Sequence, residues 1–129
     1  MKEDQIKKHF ENWLHNQGYQ NVRVKLGKER GPDIEAVSPN GRKFFAEVKS
    51  HRTKSSTRKQ NEFYVDYNTL LGQILRLMNK HQSRAEYAVV IEDGAIETFR
   101  RYFLPYAIKR MKMRAYAVST NGAVRPLID

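Results

Sequence analysis

No cysteine occurs in this chain, which excludes a disulfide framework, a thiolate metal site and a cysteine nucleophile. Acids are few: 14 Asp and Glu stand against 24 Lys and Arg, a formal net charge of +10. That imbalance favours an anionic partner, either nucleic acid or an acidic membrane surface. No apolar run approaches the length needed to span a bilayer. Residues 1–8 are polar and charged, so no secretory signal is visible. A cytoplasmic protein with no membrane partner is the expectation. Internal repeats, linkers and a second domain are also missing from the pattern. With 129 residues, 40% of them hydrophobic, the chain is expected to fold as one globular domain over residues 1–129.

Against this basic background one stretch keeps its acids together. Residues 31–50 read as a β-hairpin around Ser38-Pro39-Asn40-Gly41, where Pro suits the second position of a type I turn and Gly the αL residue that follows. A two-residue loop would pair Ser38 with Lys43, and a three-residue loop with a Gly bulge would pair it with Arg42. The side chains choose between them, because a one-residue slip moves a strand's residues to the opposite face. In the bulged register Ile34, Ala36, Phe44, Ala46 and Val48 share an apolar face. Asp33, Glu35, Lys43, Glu47 and Lys49 share the other, with Val37 and Phe45 among them. Asp33 then lies directly across from Glu47, with Cβ atoms roughly 5 Å apart. Lys49 follows two residues on, on the same face.

Facing carboxylates repel and destabilise a sheet. A hard divalent cation removes the penalty. Mg²⁺ is typically held by one or two carboxylates, keeps several waters and takes phosphate oxygens as further ligands. A neighbouring ammonium can position a water and favour its deprotonated form. Such a set is equipped to hydrolyse a phosphodiester.

Pro32-Asp33 followed by Glu47-Val48-Lys49 resembles the core motif of the PD-(D/E)XK nuclease superfamily, the restriction-endonuclease-like fold. The motif is short and degenerate, and a Glu-x-Lys on a strand also arises as a salt-bridged solvent face. The order of elements adds to it. Residues 3–17 read as an amphipathic helix with Ile6, Phe10, Trp13 and Leu14 on one face, ended by Gly18. Residues 20–26 alternate as a strand, with Val22, Val24 and Leu26 in and Arg23 and Lys25 out. The hairpin follows. Residues 50–63 lack periodicity and read as a basic loop carrying Arg52, Lys54, Arg58 and Lys59. Those four are candidate nucleic-acid contacts, or else an ordinary solvated surface. Residues 67–81 form a helix with a broad apolar stripe, 86–91 a buried strand, 95–112 a helix interrupted at Pro105, and 115–119 a last core strand. Val124 begins a short edge strand. None of the four histidines has a partner at metal-ligand spacing.

Helix, three strands, helix, strand, helix, strand is an α/β arrangement that matches the αβββαβ core of that superfamily, a mixed central sheet flanked by helices. The resemblance implies a Mg²⁺-dependent nuclease, with Mn²⁺ able to take the place of Mg²⁺, acting on nucleic acid and most naturally on DNA. It implies that Asp33, Glu47 and the Val48 carbonyl bind the metal and that Lys49 orients and activates the attacking water. In many such proteins a Glu on the first helix joins the cluster, about four turns ahead of a Gly-Tyr or Gly-Phe pair. Glu3 relative to Gly18-Tyr19 fits, and Glu11 is the rival. Gln73, in Gly72-Gln73-Ile74-Leu75, resembles the supporting Gln that such families carry on the helix after the Glu-x-Lys strand. The small size suits structure-selective cutting, or action beside a partner protein. Cutting both strands of a duplex takes two sites, which a homodimer would supply. A DNA-binding or assembly module that keeps the fold without turnover is the alternative, and a protein-interaction role for the basic surface is a third.

Overall fold

The structure, a computed structural model, describes residues 1–27, 29–50, 60–102 and 105–128, and for residues 60–66 the backbone alone. Helix α1 (Glu3–Asn16) leads into three antiparallel strands, β1 (Gln20–Val24), β2 (Ile34–Val37) and β3 (Lys43–Lys49). Helix α2 (Gln60–His81) then carries the chain to β4 (Ala85–Glu92). Two short helices, α3 (Ile96–Tyr102) and α4 (Pro105–Arg110), precede β5 (Met113–Val118) and the edge strand β6 (Val124–Pro126). The six strands form one mixed sheet in the order β1-β2-β3-β4-β5-β6. The β3–β4 and β4–β5 pairs are parallel, and the other three are antiparallel. The expected αβββαβ order is present.

Each face of the sheet carries its own core. Ile6, Phe10 and Leu14 of α1 pack on Ile34, Phe44, Ala46 and Val48. Tyr67, Leu70 and Ile74 of α2 pack on Phe45, Tyr87, Val89 and Ile91 of the other face. This explains the nearly unbroken apolar run of β4, which is covered on both sides. Gly18, at φ +89°, ends α1 in the left-handed region, where a Cβ would be strained.

The bulged hairpin register is the one observed: Ile34 pairs with Ala46, Ala36 with Phe44 and Val37 with Lys43. Ser38 N–H donates to the Arg42 carbonyl at 2.8 Å, and Gly41 takes φ +83°. Two expectations need correction. Helix α2 begins at Gln60, so residues 60–63 are helical rather than loop. Once the apolar half is packed, extending a helix backward adds a hydrogen bond per residue without a new nucleus. Strand β1 stops at Val24, short of the expected 26, and Leu26 is 54% exposed rather than inward. Pro105 opens a separate helix, α4, so the 95–112 segment is divided there as expected. Among the described residues no helix is long and apolar enough to cross a membrane.

Candidate active site

Extending the β2–β3 register by one residue sets Asp33 opposite Glu47, and extending the β1–β2 register sets Lys25 opposite Asp33. Lys25 N–H donates to the Asp33 carbonyl at 2.8 Å, continuing the ladder. Lys25, Asp33 and Glu47 thus form one rung across three strands. Both carboxylates are buried. Two buried acids side by side are tolerated only when their charge is answered.

The answer comes from several directions. Asp33 Oδ2 accepts a 2.8 Å hydrogen bond from Val48 N–H. Asp33 Oδ1 lies 3.3 Å from Lys25 Nζ and 3.6 Å from Lys7 Nζ. Lys7 is buried on α1, where Nζ also donates to the Lys25 carbonyl at 2.9 Å. Burial pushes the Asp33 carboxyl up, but hydrogen bonds from Glu47 and Val48 and the charges of Lys7 and Lys25 outweigh it, and the net shift is down. Glu47 moves the other way, to about 8, first by burial and then by the neighbouring Asp33 carboxylate. The two shifts are opposed, as for adjacent carboxyls that resist ionising together, and Glu47 is the one that keeps its proton to higher pH.

Glu47 Oε2 is buried and has no hydrogen-bond partner among the described residues. Once Glu47 gives up its proton, an acceptor in that position beside an ionised carboxylate suits a hard cation, and a pair of carboxylates fits Mg²⁺ or Mn²⁺. Among the described residues no three His, Asp or Glu side chains converge on one point, so further ligands would come from water, backbone carbonyls or substrate oxygens.

Glu3 does not join the two acids directly. It is half-buried at the start of α1, with Oε1 3.7 Å from Lys49 Nζ. Lys49 thereby connects the first helix to the strand that carries Glu47. Glu11, two turns further along α1, makes no ion pair with this cluster among the described residues. Gln73 sits half-buried on α2 and, among the described residues, has no hydrogen bond to Asp33 or Glu47. Arg52, Lys54, Arg58 and Lys59 lie outside the described residues. Two residues escaped the sequence reading, Lys7 and Lys25. Lys7 follows Glu3 by four and precedes Phe10 and Leu14 by three and seven, which places it on the buried stripe.

Comparison with known proteins bears on the fold. No protein-family model matches the chain, and no curated protein matches it in sequence. Two solved structures do match in shape. One is an XisH family protein from Nostoc punctiforme, 18% identical, with a TM-score of 0.66 over 98% of this chain and 100% of that one. The other is a FdxN element excision controlling factor protein from Anabaena variabilis, 18% identical, with a TM-score of 0.67 over 98% of this chain and 99% of that one. At that identity the likeness is one of fold.

Proposed function

We propose that this chain is a Mg²⁺-dependent nuclease of the PD-(D/E)XK type that hydrolyses phosphodiester bonds in DNA. The observation that carries the reading is the buried Asp33–Glu47 pair, with a Glu47 oxygen that has no hydrogen-bond partner among the described residues and Lys49 two residues beyond. Asp33, Glu47 and the Val48 carbonyl would hold the metal, which supplies Lewis-acid polarisation of the phosphate and a more acidic water. Lys49 would orient that water, its ammonium positioned by Glu3. Val48 N–H, Lys7 and Lys25 fix the Asp33 carboxylate in place and keep it ionised. Gln73 and the basic residues after β3 would support the nucleic-acid backbone.

A second reading, a DNA-binding or assembly module without turnover, is favoured by one feature of the same site. Two ammonium groups already face Asp33 Oδ1, so part of the charge a metal would neutralise is neutralised without one. The description of one structural neighbour as an excision controlling factor also suits a protein that works beside other factors on DNA. The test is incubation with supercoiled, linear, single-stranded and branched DNA in Mg²⁺, in Mn²⁺ and in chelator. Metal-dependent products support the nuclease. Salt-sensitive binding with no product in any metal supports the module.

A further inference from the structure

The sheet end remote from Asp33 and Glu47 is strongly basic. Arg42 stands just ahead of β3, roughly 16 Å from Glu47 along the strand at about 3.3 Å per residue. Extending the β3–β4 register by one residue sets Arg42 level with Arg84, and extending the β4–β5 register sets Lys112 level with Glu86. Arg42 and Lys112 are thus two strand spacings apart across the sheet, about 10 Å. Arg42, Arg84, Lys109 and Lys112 are all exposed. A cavity of about 550 Å³ has Arg42 and Lys112 in its lining, together with Asn40, Gln82 and Ser83. An adjoining hollow of about 350 Å³ is lined by Lys109 and Lys112. The one carboxylate of the larger cavity, Glu86, is largely buried and lies 3.5 Å from Arg114 Nη2.

Two features set this end apart from an ordinary solvated surface. Arg42 Nη2 donates to the carbonyls of Ser83 and Ala85, and the Tyr87 hydroxyl donates to the Gln82 carbonyl at 2.6 Å. Three carbonyl oxygens of the turn into β4, each of which would repel an anion, are thereby answered. The same bonds hold the guanidinium in place at the surface, so less entropy is lost when it meets a ligand. The second feature is backbone strain. Gln82 and Lys112 both take φ +54°, just past the ends of α2 and α4, where glycine is usual. A side chain at such a position costs stability. Both of these side chains line the same cavity, and strain kept at a cavity wall points to a use for the side chain.

We propose that this end of the sheet is a second DNA-contacting surface, separate from the Asp33–Glu47 site, on which Arg42, Arg84, Lys109 and Lys112 bind the phosphate backbone of a duplex. The cations come from separate elements and form a strip. A lone phosphate would meet one or two of them, whereas the repeating phosphates of a strand meet them all. Asn, Gln and Ser beside Arg and Lys are the residue types that contact phosphate oxygens, and such contacts position a duplex without reading its sequence. The inference rests on the reading that the chain works on DNA, and it holds whether or not the chain cuts.

The test is duplex binding by the full chain, followed by fluorescence anisotropy in chelator from about 50 to about 200 mM salt. Lys112→Gly and Arg84→Ala should each weaken binding several-fold at low salt, equally for unrelated sequences. Each should also lower the slope of log K against log salt by about 0.9, the value of one lost phosphate contact. Lys112→Gly should at the same time raise the thermal midpoint, because glycine relieves the left-handed strain. Weaker binding by a more stable protein excludes misfolding as the cause, and Arg84→Ala carries the test should Lys112→Gly fail to fold. Arg76→Ala removes an exposed charge from α2 and should leave the slope unchanged. Unchanged slopes in folded Lys112→Gly and Arg84→Ala overturn the proposal. So do an equal loss in Arg76→Ala, which would reflect net charge alone, and no duplex binding by the wild type. Loss of affinity for poly-glutamate but not for duplex would assign the surface to an acidic protein instead and also overturns it. Metal-dependent cleavage with unchanged slopes removes this surface and keeps the nuclease. Slope losses without cleavage in any metal keep the surface and remove the nuclease.

Discussion

Lys7 Nζ stands 3.6 Å from Asp33 Oδ1 while it donates a 2.9 Å hydrogen bond to the Lys25 carbonyl. A helix on one face of the sheet is thereby tied to the acid that heads β2. The ammonium holds Asp33 in its ionised form and occupies space beside the oxygen that a metal would approach.

Lys7→Met keeps most of the stem and removes the charge. It leaves the Lys25 carbonyl without this donor, while Asp33 retains Lys25 and Val48 N–H. We expect a loss of about 1–3 kcal/mol of stability in urea unfolding. We also expect Mn²⁺ to bind several-fold more tightly by calorimetry, since a like charge is gone. Weaker Mn²⁺ binding in a folded Lys7→Met would show that the lysine assists the cation rather than competing with it.

The two carboxyls give stability opposite pH limbs. Glu47 keeps its proton in the fold up to about pH 8, whereas its ordinary value is 4.5. The folded state therefore binds more protons than the unfolded chain between these values, and stability falls as pH rises through that window, by at most about 1.4 kcal/mol per pH unit. Asp33 is depressed below 3.8, so its contribution is present above that value and lost as pH falls through its folded pKa. Urea midpoints from pH 5 to 9 should decline in the wild type and stay flatter in Glu47→Gln. An equal decline in both would place the proton elsewhere.

Asp33→Asn and Lys49→Ala should each abolish DNA cleavage, lowering the rate by at least about a hundredfold, the size typical of losing a positioned catalytic group. DNA affinity, measured by a mobility shift, should stay within a few-fold. Wild-type cleavage by either purified variant would remove that residue from the mechanism.

Gly41 sets the hairpin register through its left-handed conformation, φ +83°. Gly41→Ala should destabilise the fold by about 1–2 kcal/mol. No atom stands within 4 Å of the position an added Cβ would take, so the effect is conformational rather than steric. A neutral effect on thermal unfolding would mean that the turn relaxes into another conformation.

Much of this arrangement is legible in the residues, and the reasons are local. The facing of Asp33 and Glu47 follows from sorting Ile34, Ala36, Phe44, Ala46 and Val48 onto one face, because only one register does so. Pro105 marks the division between α3 and α4 without any tertiary information. Lys7 and Lys25 are another matter. A lysine on a buried stripe reads as a misfit until its partner is known, and for Lys7 that partner, Asp33, lies 26 residues away in sequence, just ahead of β2. Lys25 follows the alternation of a strand that has already ended at Val24, so its facing of Asp33 depends on the neighbouring register. The first turns of α2 carry no apolar period, and only the packed half that follows gives them a reason to be helical.

The most direct test is a crystal of the wild-type protein soaked in Mn²⁺ and measured at the manganese absorption edge. The account predicts an anomalous peak between the Asp33 and Glu47 carboxylates, within about 2.0–2.3 Å of an oxygen from each. Full side-chain density with no peak there, or a manganese ion bound elsewhere with the pair still closed on Lys7 and Lys25, would contradict it.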